Sequence, residues 1–238
     1  MSTRIIAIQA RMGSTRLPGK VLMDLGGKTM LERVVEAVQP ACHEACVLAP
    51  SGDDAIWKLT HRRGWQCVGV HDEHDVLARY LALCRQYPGN PLIMRVCADA
   101  PFIQPDWCRA AFNLAEITDK PVWIENFCHV GTAAQWRECS LSADRSTGSF
   151  APDLEHAGST WFWQNGVRVE SFVPDDYLMV NTREDYEEAQ RRFALPSPRK
   201  APEVTDLKAR AFLAFMDQAG PYEPAGDNPH AGPSKEKT

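Results

Sequence analysis

The sequence predicts an α/β fold with a doubly wound, mostly parallel central sheet and helices on both faces. Three observations carry this. An apolar, β-branched run, Ile5–Ile8, reads as a buried strand beginning almost at the N-terminus. It runs straight into a loop of Arg, Lys, Gly, Ser and Thr, after which a helix signal begins. Short strand-like runs and helical stripes then alternate through the first half of the chain, the pattern of a parallel sheet built by crossover connections.

Each element has a local reason. After the turn Leu22–Lys28, Thr29 opens a helix reaching Gln39, with Glu32 three residues on as in a capping box. Ala45–Ala49 is a second strand, Ser51–Asp54 a turn and helix cap, and Asp54–Arg63 a helix. Cys67–Val70 is a short strand. Asp75–Tyr87 carries apolar residues at 76, 77, 80, 81 and 84, a helical stripe with Asp75 as its cap. Leu92–Val96 is a strand, and Asp106–Ala115 a helix following Pro105, with Asp106 as cap. Thr182 caps a last helix in this region, with Asp185 at its third position.

The remainder is less regular. Residues 121–173 are rich in tryptophan, and Trp123, Trp136, Trp161 and Trp163 would line a pocket, an interface or the core. Pro202–Ala219 reads as a further helix. Residues 220–238, dense in Pro, Gly and charge, read as a disordered tail. The expected organisation is one domain over residues 1–219.

Composition narrows the function classes. The chain has 238 residues, 44% of them hydrophobic, enough for one substantial core. A net charge of −5 argues against a nucleic-acid partner. No run of 18 apolar residues occurs, so no membrane-spanning helix is expected. Met1–Arg4 is too short to be a signal segment before the first strand, which makes a cytoplasmic location the expectation. The eight cysteines include no C-x-x-C pair, and Cys42, His43 and Cys46 match no common zinc spacing. They read as small buried hydrophobes.

The loop Ala10–Arg11–Met12–Gly13–Ser14–Thr15–Arg16–Leu17–Pro18–Gly19–Lys20 is a candidate anion site. Glycine lets the backbone approach a ligand, Arg offers a planar fork and Lys a point charge. It is neither a Walker A loop nor a dinucleotide fingerprint, since G-x-x-x-x-G-K-[ST] and G-x-G-x-x-G are both absent. Asp99 follows the strand Leu92–Val96 and would share an edge with the loop, because ligands of such sheets bind beyond the carboxyl ends of strands. A strand-terminal carboxylate suits Mg²⁺, although Asp99 would equally cap the turn before Pro101.

The order A-R-M-G-S-T-R-L-P-G-K closely resembles the signature of the cytidylyltransferase family, which includes spore coat polysaccharide biosynthesis protein F-like, acylneuraminate and 3-deoxy-manno-octulosonate cytidylyltransferases. Arg95–Ile103 resembles that family's R-[IV]-x-[GA]-D-x-P-[LF]-I. The resemblance implies a Rossmann-like, GT-A-like nucleotidyltransferase fold. It also implies transfer of CMP from CTP to an acidic sugar with Mg²⁺ as cofactor, in a protein that could form a homodimer. Ala10, Arg11, Met12, Gly13, Ser14, Arg16, Lys20, Arg95 and Asp99 would then surround the nucleotide, and Arg11, Lys20 and Asp99 would act in the reaction. Lys20 would contact phosphate from a polar loop with no packing role.

One segment departs from the family. Met179–Asp185 resembles V-D-T-x-E-D, yet Asn181 stands where the first Asp usually helps bind the metal. Asp99 and Asn181 are therefore the metal candidates, with charge only on the first. Glu155 and His156 resemble the E-H pair that precedes the family's dimer-forming or sugar-binding part. Arg79 would reach the nucleotide or form a surface ion pair. Two other readings stay open: another nucleotidyltransferase or a GT-A glycosyltransferase, for which Asp99–Ala100–Pro101 lacks D-x-D, and a nucleotide-binding protein with weakened catalysis.

Overall fold

A computed structural model describes residues 2–125, 127–142, 157–169, 173 and 177–194. Seven strands form one sheet: β1 (Arg4–Gln9), β2 (Glu44–Leu48), β3 (Gln66–Val68), β4 (Leu92–Cys97), β5 (Val122–Ile124), β6 (Cys128–Thr132) and β7 (Val167–Val169). Their order is β3-β2-β1-β4-β6-β5-β7. β1 runs parallel to β2 and β4, and β2 to β3. β6 is antiparallel to both β4 and β5, and β7 pairs parallel with β5. The sheet is thus mostly parallel, with one reversed strand inside it.

The helices are α1 (Met30–Val38), α2 (Asp54–Arg63), α3 (Val76–Gln86), α4 (Pro105–Thr118), α5 (Ala133–Ser142), α6 (Ala157–Asn165) and α7 (Arg183–Ala194). The two-residue period of β1 divides them between the faces. Ile6 and Ile8 point into a cluster with Leu31 and Val34 of α1, Ile56 of α2 and Phe112 of α4. Ile5 and Ala7 point into the other, with Tyr80 of α3, Trp136 of α5 and Phe162 of α6. None of the described helices is long and apolar enough to cross a membrane.

Most boundaries follow the local signals. Thr29 and Glu32 make the reciprocal capping box. Asp75 accepts from the Ala78 amide (2.8 Å) and caps α3. Asp106 does not cap α4: the cap position is Gln104, because Pro105 already has helical geometry and takes the first turn. Asp106 pairs with Arg109 instead. Asp53 sits at the cap of α2 without a capping bond, its carboxylate being used elsewhere.

The stretch 121–173 holds more regular structure than its sequence suggests. Among its described residues it contributes β5, β6, β7, α5 and α6 to the same layers. The strands are short and interrupted by Gly, His and Trp, so their alternation is faint. The registers Val122↔Val130 and Val122↔Val167 assemble them, which no local pattern encodes. Trp136 is core, whereas Trp163 is 44% exposed and stacks under the Arg168 guanidinium at 3.9 Å. Among the described residues the eight cysteines form no disulfide and six are buried, with burial pushing the Cys42 thiol up to about 12. The expected helix Pro202–Ala219, the expected tail 220–238, and Glu155 and His156 lie outside the described residues.

Trp136 joins α5 to both the sheet and α3. It is fully buried, stacks on Tyr80 (centroids 4.0 Å apart) and donates from Nε1 to the Ile93 carbonyl at 3.0 Å. Trp136→Ala is expected to lower unfolding free energy by about 3–5 kcal/mol in urea titration. A loss below about 1 kcal/mol would mean that this layer is not part of the cooperative core.

Candidate active site

β1 and β4 end together, Gln9 standing opposite Cys97, so the segments that follow leave the sheet at one edge. The strand order turns from β2 to β4 on either side of β1, the switch point where open sheets of this kind bind ligands. Residues 10–20 leave β1 here. The Met12 carbonyl accepts from the amides of Ser14 (2.9 Å) and Gly19 (3.0 Å), closing the loop on itself. Gly19 has φ +71°, a left-handed turn that a side chain would strain. The Met12 amide donates to Asp53 Oδ2 (2.9 Å), which explains why Asp53 leaves its own helix uncapped. Leu17 is buried with Leu25, Met30, Val180, Tyr186 and Ala189. The loop is therefore preformed, with Gly13, Thr15 and Arg16 exposed.

Lys20 is not the solvated lysine that its polar neighbours suggest. It is 7% exposed, and its three ammonium protons meet three acceptors: Asp99 Oδ2 at 2.5 Å, the Val180 carbonyl at 2.8 Å and Asn181 Oδ1 at 3.2 Å. Arg16 crosses from the same loop to donate to Asn181 Oδ1 at 2.8 Å. Asp99 accepts again through its backbone, from the Val180 amide at 2.8 Å. Lys20, Asp99, Asn181 and Arg16, distant in sequence, thus form one cluster. Asn181 is placed by the start of α7, where Asp185 accepts from the Asn181 and Thr182 amides at 2.9 and 2.8 Å.

The donor set suits a hard cation in part. Asp99 Oδ1 is buried with no hydrogen-bond partner among the described residues, an acceptor whose desolvation is uncompensated. Asn181 Oδ1 is committed to two cationic donors. No group of three or more His, Cys, Asp or Glu side chains among the described residues could hold a metal alone.

Arg95, on β4, donates to Gln9 Oε1 at 2.9 Å and lies 3.4 Å from His129 Nδ1. His129 Nε2 is 3.2 Å from Ser159 Oγ on α6. Burial, reinforced by the Arg95 guanidinium, holds His129 well below its ordinary value, so the ring is neutral at pH 7. Gln9, His129 and Ser159 are polar neighbours of the edge that sequence reading missed. Their signal exists only as register, Arg95 facing His129 across β4 and β6. Arg79 is fully buried rather than a surface ion-pair partner, and donates to the Glu73 carbonyl. Burial and repulsion from Arg11 weaken its hold on its proton.

Two outcomes follow from these geometries. Lys20→Met leaves Asp99 in a half-buried site without its cation, and is expected to cost about 3–5 kcal/mol in urea unfolding; an unchanged midpoint would show that the pair does not close the fold. Unfolded His129 takes up a proton below about pH 6.5 that the folded ring refuses, so stability should fall as pH drops through that value. Denaturation at pH 7.5 and 5.5 should show this loss, reduced in His129→Gln; equal losses in both proteins would remove His129 as its source.

The family model for cytidylyltransferases matches residues 5–212. Spore coat polysaccharide biosynthesis protein SpsF of Bacillus subtilis is 32% identical over 92% of this chain and 95% of that protein. The 3-deoxy-manno-octulosonate cytidylyltransferase of Nitrosococcus oceani is 38% identical over 44% of this chain, and the match covers 41% of that protein. The chain thus spans less than half the length of that relative. Among solved structures, a cytidylyltransferase from Leptospira borgpetersenii has a TM-score of 0.67 at 20% identity, covering 92% of this chain and 95% of that one. A CMP:2-keto-3-deoxy-manno-octonic acid synthetase complexed with CTP has a TM-score of 0.62 at 18% identity, covering 81% and 99%. At these identities the two structures share the fold. With the match spanning nearly the whole described sheet and its edge loop, the chain belongs to the cytidylyltransferase family.

Proposed function

We propose that the chain transfers CMP from CTP to a hydroxyl of an acidic sugar of the ulosonic type, releasing pyrophosphate. The carrying observation is the convergence of loop 10–20 with Asp99 and Asn181 through Lys20 at the sheet's switch point. In this reading the triphosphate lies along the loop, near Ala10, Met12, Gly13 and Ser14. Arg11, Arg16 and Lys20 face its outer phosphates. Negative charge builds on those phosphates as pyrophosphate leaves, and fixed cations stabilise it without reorganising. Lys20 exchanges one protein acceptor for a phosphate oxygen. Asp99 would hold Mg²⁺ through Oδ1, with phosphate oxygens completing its shell. When bound, the ion neutralises charge at the phosphate under attack. The name of the 3-deoxy-manno-octulosonate cytidylyltransferase relative supports an acidic-sugar acceptor.

Asn181 favours a second reading, a nucleotide-binding protein with weakened turnover, because the cluster there carries two cations and one carboxylate. Pyrophosphate release from each of the four nucleoside triphosphates, with 3-deoxy-manno-octulosonate and an acylneuraminate as acceptors, separates the two. Turnover with CTP and one acceptor is expected, whereas CTP binding without turnover on any acceptor supports the second reading. Asn181→Asp adds a hard anionic ligand and is expected to lower the Mg²⁺ concentration giving half-maximal rate. An unchanged requirement would place residue 181 outside the ion's shell.

A further inference from the structure

The segment ahead of α3 touches the loop at Gly13. A side chain built on Gly13 would collide with Glu73 Oε1, so the Glu73 carboxylate is seated directly on the Gly13 backbone. The same residue's carbonyl accepts from Arg79 Nη2, which fixes its backbone. Arg79 is fully buried, and its Nε and Nη1 have no hydrogen-bond partner among the described residues. Asp72 shapes the approach by accepting from the amides of His74 (2.8 Å) and Asp75 (3.3 Å). Asp75 then caps α3. The segment is therefore a short strap anchored on a buried guanidinium, presenting one carboxylate to the exposed glycine of a loop flanked by Arg11 and Arg16.

We propose that Glu73 sets the affinity of this loop for polyphosphates, its carboxylate covering Gly13 and having to move aside for any ligand whose phosphates reach that glycine. The inference rests on reading the loop as the phosphate site. A carboxylate and a phosphate cannot share that position, since like charges at contact repel and the side chain fills the room. A triphosphate or pyrophosphate brings enough charge to the neighbouring Arg and Lys side chains to offset displacing Glu73. A nucleoside monophosphate, with fewer contacts along the loop, leaves the carboxylate in place. Glu73 thus adds a penalty to ligands that reach Gly13 and none to those that do not, lowering the loop's affinity for polyphosphate while leaving that for a monophosphate unchanged.

Isothermal titration calorimetry of the full chain with CTP, CMP and inorganic pyrophosphate tests this. Glu73→Gln keeps the size and removes the charge, and Asp72→Asn removes a neighbouring charge while keeping its acceptor. CTP and pyrophosphate are expected to bind Glu73→Gln roughly three- to fivefold more tightly, the scale of one partly solvated charge contact, with CMP unchanged. Asp72→Asn should leave all three near wild type. Unchanged or weaker CTP and pyrophosphate binding in Glu73→Gln overturns the proposal, as does an equal gain for CMP or in Asp72→Asn. If neither wild type nor Glu73→Gln binds CTP or pyrophosphate, the phosphate reading of the loop falls as well; if both bind equally, the proposal alone falls. Circular dichroism melts that match wild type confirm that each variant is folded.

Discussion

The buried ammonium of Lys20 is the interaction on which the rest of the edge depends. An unpaired ammonium out of water is too costly for a fold of ordinary stability, so every acceptor around it has to be delivered. Delivering them fixes three segments at once. Asp99 must leave β4 in one direction, the irregular segment before α7 must bring the Val180 carbonyl inward, and Asn181 must turn its amide oxygen toward the loop. The Val180 amide returns a bond to the Asp99 carbonyl, which locks the second contact to the first. Leu17, Val180 and Tyr186 then pack as a small apolar cluster beneath the polar one. Folding and site assembly are the same event here.

The sheet supplies the coordinates for that event. β1 and β4 stand in register to their last residues, so loop 10–20 and Asp99 emerge side by side. On the α3–α5–α6 face, β4 and β6 align Arg95 with His129, and Gln9 and Ser159 complete a row of polar groups. A neutral histidine beside an arginine is a stable arrangement in a buried setting, because protonating it would place two positive charges together without water. The row keeps the Arg95 guanidinium oriented near the end of its strand.

Charge is distributed against the average of the chain. The sequence carries −5 overall, yet the edge loop concentrates Arg11, Arg16 and Lys20. Carboxylates meet the loop at defined points: Asp99 on Lys20, Asp53 on the Met12 amide and Glu73 on Gly13. Each holds the loop in shape and reduces its field. A site built this way holds its cations in fixed places before a ligand arrives.

The sequence by itself determined the elements with strong local chemistry. Thr29 and Glu32, Asp75, and Thr182 with Asp185 set helix starts, and the β-branched run of β1 with its basic loop located the edge of the sheet. The order of residues in that loop, with Asp99 beyond β4, made the family legible. Tertiary structure decided what depends on partners far along the chain. A lysine in a polar loop reads as solvated, and only docking of residues 177–181 shows it buried. Asp53 reads as a helix cap, Arg79 as a nucleotide contact or a surface ion pair and 121–173 as irregular, because a capping bond, a guanidinium's burial and the pairing of three-residue strands are settled by register and packing, not by neighbours in sequence. Local propensity acts over a few residues, whereas burial of charge and the pairing of strands are properties of the closed fold.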